Sequence, residues 1–344
     1  MALLRVTGTI DVSQFWPKGS SDADTTKIIV DVSQDAFQVR LPGSAAFAVT
    51  HVFDNATVVG TARKQAVANG RITVRLQGID APELHYRPAA IPRKLKPTDQ
   101  QRAAFKAVNK EYRQRLGETS TIALANSLQS GSNDGNGSVL ACNLLTQVDL
   151  PGDVFDTYGR FVGDVEVDID NQQRNVNRWL VAEGWAVPTF YTSMTADEIN
   201  TLRAAWAVGG KKPKRVGKSL ARTIGTFDAT LRFRGKGAEP DPANDAGKLI
   251  LPKLFRRQCT FFAYRKAKLV PPGFRRYLES AKDGFFLTDD FLENGVHSAE
   301  LQLLHEHVDS DNRFDLDPDD LVFREKASRL VGPNNQPILG WDVA

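Results

Sequence analysis

The stretch Val74-Arg75-Leu76-Gln77-Gly78-Ile79-Asp80-Ala81-Pro82-Glu83 decides how the chain is to be read. Strand alternation sets Val74 and Leu76 on one face and Arg75 on the other. Gly78 relaxes the backbone as the strand ends, and Pro82 fixes one φ angle between two carboxylates. Asp80 and Glu83 therefore share a stiff turn at the end of a strand. A metal ligand or a general base belongs on such a turn, because neither tolerates positional freedom.

Upstream, Leu4, Val6, Ile10 and Val12 alternate with polar or small residues, and so do Ile28, Val30 and Val32, then Ile72, Val74 and Leu76. Each set predicts a half-buried strand. Residues 33–70 separate the last two sets. Phe37, Val39, Leu41 and Val58 alternate there, so this insertion forms extra strands or an excursion from the main sheet. Downstream, Thr98 and Gln101 have capping-box spacing, and Phe105, Val108, Tyr112 and Leu116 recur on one helical face. Residues 119–124 and 139–145 read as strands on either side of a Gly/Ser/Asn loop at 130–137. Val165 and Val167 mark another strand. A helix from Asn175 to Gly184 follows, then one that opens on Thr195 with Glu198 and ends at Gly209. The pattern is a small barrel plus helices, an α+β arrangement.

A chain of 344 residues suggests two domains. Its 25% charged and 41% apolar residues are ordinary for a globular protein, and a net charge of +3 argues neither for nor against a nucleic-acid partner. Cys142 and Cys259 are too few for a disulfide framework or a cysteine zinc cage. Residues 1–12 alternate like a strand and lack the apolar core of a signal peptide, and no run is long enough to span a membrane. The expected address is cytoplasmic.

Two more pieces bear on chemistry. Asp22-Ala23-Asp24-Thr25 stands directly before a strand and offers hard oxygen ligands. Asp156-Thr157-Tyr158-Gly159-Arg160 is a turn that offers a guanidinium and a phenol. Together with the Arg75–Glu83 stretch, and in this order, they resemble the staphylococcal nuclease family over about residues 1–220, interrupted by the insertion. The resemblance implies an OB-like five-stranded β-barrel with three helices, and residues 221–344 read as a smaller α+β accessory domain outside it. It implies calcium held by Asp24, Asp80 and the Ala81 carbonyl. Glu83 then orients or deprotonates the attacking water, and Arg75 and Arg160 grip the phosphate. Two guanidiniums and a cation are what the charge of a five-coordinate phosphorus requires. Tyr158 contacts the adjoining phosphate. Ala23 stands where the family usually has glycine and Ala81 where threonine is common, a change that leaves the carbonyl in place. The implied activity is endonucleolytic cleavage of single-stranded or frayed DNA and RNA with little sequence preference, leaving 3′-phosphates.

The basic loop Arg87, Arg93, Lys94 and Lys96 flanks the acidic turn, where Arg87 and Lys94 either track a phosphate backbone or are simply solvated. Residues 226–233 and 248–264 read as strands, and 274–281 as a helix. Residues 248–276 interleave basic and aromatic side chains with no acid. Such a segment either binds nucleic acid or forms a basic solvent face that pairs with the acidic tract 279–326. The C-terminal region thus binds nucleic acid or a protein. The competing reading of the whole chain is a catalytically decayed module that binds nucleic acid or a protein partner.

Overall fold

The computed structural model describes residues 1–30, 35–129, 138–169, 172–241, 246–325 and 328–343. The expected loop at 130–137, and Val32, lie outside the described residues.

Strands β1 (Ala2–Asp11), β2 (Thr25–Ile29), β3 (Arg71–Leu76), β4 (Val139–Val148) and β5 (Phe161–Ile169) form a closed five-stranded barrel, and the fold class is α+β. β1 pairs antiparallel with β2, and β2 antiparallel with β3. β3 runs parallel to β5, β5 antiparallel to β4, and β4 returns to β1. Closure removes the unpaired edges that an open sheet presents. The alternating residues seen in the sequence line the interior: Leu4, Val6, Ile10, Ile28, Ile72, Val74, Leu144, Phe161, Val165 and Val167 are all buried.

The insertion makes extra strands. Phe37–Arg40 extends the sheet along β1, with Leu4 opposite Val39. Thr57–Val59 and Arg63–Gln65 form a hairpin that is completed by Arg329–Val331. Phe53 from this stretch lies 5.3 Å from Phe161 and 5.9 Å from Phe155, ring centre to ring centre, and Phe155 lies 4.5 Å from Phe161. The inserted segment therefore supplies part of the core.

The chain divides into two compact units that interleave in sequence. The first comprises Met1–Ile79, Ile122–Leu180 and Glu325–Ala344, and holds the barrel. The second comprises Asp80–Thr121 and Val181–Arg324, so position 220 falls inside it. Its four-stranded sheet runs Phe190–Tyr191, Leu321–Phe323, Gly284–Leu287, Gln302–Leu303. Tyr112, Leu116, Leu254, Phe255, Phe285 and Leu321 share its hydrophobic core.

The helices at Asp99–Val108 and Ala196–Gly209 open on complete capping boxes, as the spacing predicts. Four expectations are corrected. The first helix stops at Val108, where the Tyr112 hydroxyl donates to the Val108 carbonyl at 2.7 Å, so Tyr112 and Leu116 lie beyond it. Residues 119–124 are helical, within Gly117–Gln129, with Ser120, Leu124 and Leu128 buried four apart. Residues 252–266 also form a helix, Pro252–Lys266. Leu254, Phe255, Gln258, Cys259 and Ala263 are buried there at helical spacing. Residues 226–233 form no strand; the Asp228 carboxylate accepts from the Thr230 amide and hydroxyl, a local alternative to ladder pairing. Among the described residues, no helix is long and apolar enough to cross a membrane.

Phe161 is fully buried among three other phenylalanine rings. Phe161→Ala should lower unfolding free energy by about 3–5 kcal/mol, the range for large-to-small aromatic changes in a core. Urea denaturation checks this, and a loss below about 1 kcal/mol would mean that the cluster does not hold the barrel together.

Candidate active site

In the first unit, strand register builds a guanidinium–carboxylate chain. Thr25 stands opposite Arg75 in the β2–β3 ladder, and the Leu76 amide donates to the Asp24 carbonyl at 2.9 Å. Asp24 is thus fixed beside Arg75, and the two form a close ion pair with both side chains largely buried. A second Arg75 nitrogen donates to the Ile79 carbonyl at 2.8 Å. Gly78, at φ +72°, makes that return possible, because the left-handed turn brings Ile79 back toward its own strand. Asn177 ties down the strand end by donating to the carbonyls of Gln77 (2.9 Å) and Gly163 (3.1 Å).

Arg160 immediately precedes β5 and completes the chain. Its Nε and one terminal nitrogen each lie 2.7 Å from Asp156 Oδ2, and the other terminal nitrogen donates to the Thr25 hydroxyl at 3.2 Å. The turn that carries it is held by Asp156, whose Oδ1 accepts from the amides of Tyr158 and Arg160 at 2.9 and 3.0 Å. Tyr158 is 59% exposed, with the Arg160 guanidinium 5.5 Å from its ring centre. Asp24, Arg75, Tyr158 and Arg160, distant in sequence, are brought together through Thr25 and Asp156.

In the second unit, Asp80, Ala81 and Glu83 are all buried. The Glu83 amide donates to Gln114 Oε1 at 3.1 Å, and the Gln114 amide donates to the Glu83 carbonyl at 2.8 Å. Gln114 is itself anchored to the Ile250 carbonyl at 2.8 Å. Gly117 packs against this turn so closely that a Cβ there would lie 2.6 Å from the Glu83 carbonyl oxygen. Arg87 is exposed and paired with Glu111 at 2.9 Å, and Lys94 is exposed in the turn Arg93–Leu95.

Residues 73–214 match the family described as staphylococcal nuclease homologue. The match takes in Arg75, Asp80, Glu83 and Arg160, and it begins after Asp24. It covers less than half of the chain. No curated protein matches the chain. A nuclease-homologue domain of this kind points to nuclease-type function and to nucleic acid as the partner.

What the match does not contain is the partner of the acidic turn. Arg256, on the helix Pro252–Lys266, sets one terminal nitrogen 2.9 Å from Asp80 Oδ2 and the other 2.6 Å from Glu83 Oε1. Burial opposes the charge on this guanidinium, but Asp80 and Glu83 outweigh it and hold its pKa well above the usual arginine value. Lys253, one helical turn earlier, lies in the same field. Burial pulls its pKa down to about 8, against the pull of Asp283 and Asp80. Arg257 is paired with Asp283. Two cations of the basic stretch, Arg256 and Arg257, are thereby paired with carboxylates, and the Arg257–Asp283 pair joins that stretch to the acidic tract.

Calcium was expected on Asp24, Asp80 and the Ala81 carbonyl. As they stand, these donors do not fit a divalent ion: the Asp24 carboxylate is turned to Arg75 and that of Asp80 to Arg256. Among the described residues, no group of three or more His, Cys, Asp or Glu side chains gathers as a metal site. Neither cysteine is in a disulfide. Burial raises the Cys142 pKa to about 12 and raises that of Cys259 as well, so neither is a ready thiolate.

Arg256 and Lys253 were legible only as members of a basic run. The helical spacing of Leu254, Gln258 and Ala263 around them was the available signal.

Folded Lys253 loses its proton near pH 8, whereas the unfolded side chain holds it to about 10.5. Between those values the unfolded chain binds more protons, so this group makes stability rise with pH, by up to about 1.4 kcal/mol per unit. In urea unfolding from pH 7 to 10, the stability of the unaltered protein minus that of Lys253→Met should climb above pH 8. A flat difference would show that Lys253 is not held as described.

Proposed function

We propose that this protein is a nuclease that hydrolyses phosphodiester bonds of DNA or RNA. The observation that carries the reading is the Asp24–Arg75 and Asp156–Arg160 chain, joined through Thr25, on a barrel whose β5 and most of β3 lie in the family match. Each guanidinium is anchored by a carboxylate, so its remaining N–H groups keep a fixed direction without reorganising during the reaction. Arg75 and Arg160 receive the non-bridging phosphate oxygens and offset the charge that in-line attack adds. Glu83 takes the proton of the attacking water, its backbone fixed by Gln114. The leaving group is the 5′-oxygen, which leaves a 3′-phosphate. Tyr158, exposed beside Arg160, contacts the neighbouring phosphate, and the exposed Arg87 and Lys94 contact backbone phosphates. These contacts address phosphates and not base edges, so the expected sequence preference is small and the expected substrate is single-stranded or frayed.

A second reading has one specific observation behind it. With Arg256 on both Asp80 and Glu83, the domain is a nucleic-acid-binding module without turnover.

The test uses end-labelled single-stranded DNA and RNA, with divalent ion and with chelator. Glu83→Gln should cut about 10²–10⁴ times more slowly than the unaltered protein, as loss of a positioned base requires. Arg160→Ala should cut about 10²–10³ times more slowly, as loss of a transition-state donor requires. Equal cleavage by all three proteins would reject the site, and binding with no cleavage by any would leave the second reading in place.

A further inference from the structure

The guanidinium of Arg256 does two things at once. One nitrogen occupies an Asp80 oxygen and the other a Glu83 oxygen, across a turn stiffened by Pro82. A divalent ion would need carboxylate oxygens at about 2.0–2.6 Å and cannot share them with a guanidinium in the same place. The charge-assisted bond from Arg256 also lowers the basicity of the Glu83 carboxylate toward a water proton. We propose that Arg256 is a built-in cation that competes with a divalent metal ion for the Asp80–Glu83 turn and so keeps the site latent. This inference rests on the nuclease reading above for its functional meaning, though the competition itself is a matter of charge and geometry alone.

The contact is not an ordinary surface pair, which contributes little. The Asp80 and Glu83 side chains are 2% and 10% exposed, so each loses most of its hydration and depends on the cation for compensation. Arg256 itself is 28% exposed, which gives the guanidinium a way out to water. Its helix is held in place: Leu254 and Phe255 are buried in the core of the second unit, Gln258 donates to the Ile224 carbonyl, and Arg257 is paired with Asp283. Release is therefore a side-chain rotation and not a movement of the helix. Lys253 on the same helix adds a second positive charge that opposes an incoming divalent ion. Arg256 and Lys253 both lie beyond the family match, in the part of the chain that the nuclease-homologue segment does not include.

The test is a calorimetric titration of the full chain with calcium, and separately with manganese, without nucleic acid. A ligand site that is competent only when Arg256 is away has its affinity reduced by the fraction of time it is away. Arg256→Gln should therefore bind the ion about tenfold more tightly or better. Adding Asp80→Asn to that variant should remove the gain. A folded Arg256→Gln that binds no more tightly than the unaltered protein overturns the proposal, as does a gain that survives Asp80→Asn. Should Arg256→Gln fail to fold by near-ultraviolet circular dichroism, Arg256→Lys takes its place, because one ammonium cannot span both carboxylates with a planar fork. A smaller gain in affinity supports the competition, and an unchanged affinity overturns it. The titration contains no phosphodiester, so it succeeds or fails independently of any cleavage assay.

Discussion

Barrel closure is the constraint on which the guanidinium arrangement depends. β3 is paired on both sides, antiparallel to β2 and parallel to β5, and neither register can slip without exposing Ile72, Val74 or Phe161. That double pairing places Thr25 opposite Arg75 and Val162 alongside it. Asp24 precedes Thr25 and Arg160 precedes β5, so hydrophobic register in the barrel sets where two arginines and their carboxylates meet. The polar chain itself contributes direction more than stability.

Charge matching recurs around each candidate site residue. Asp24 faces Arg75, Asp156 faces Arg160, and in the second unit Asp80 and Glu83 face Arg256 while Asp283 faces Arg257. Carboxylates this well buried cannot remain charged without a nearby cation and hydrogen-bond donors. The first two pairs fix the orientation of each guanidinium. The Arg256 bridge is different, because one guanidinium engages both carboxylates of the acidic turn.

Much of the barrel was legible because period-two alternation survives wherever one face is buried, as in β1, β3 and β5. The capping boxes at Thr98 and Thr195 were legible for a similar reason: they are local hydrogen-bond motifs that need only nearby residues. The misread segments share a cause. In Gly117–Gln129 and Pro252–Lys266, residues with strand-like preference sit on helices because their buried positions recur every three or four residues, and packing outweighs intrinsic propensity. The helix at Asp99–Val108 ends early because the Tyr112 hydroxyl satisfies its last turn, a contact that composition does not announce.

The sequence by itself determined the α+β barrel and the acidic turn that ends its third strand, since strand period, Gly78 and Pro82 are all local properties. Only the tertiary structure decided what each carboxylate faces. Arg256 lies 173 positions from Glu83, and nothing in a run of basic residues says which member will meet an acid. Ion pairing is a matter of distance in space, and folding alone sets that distance.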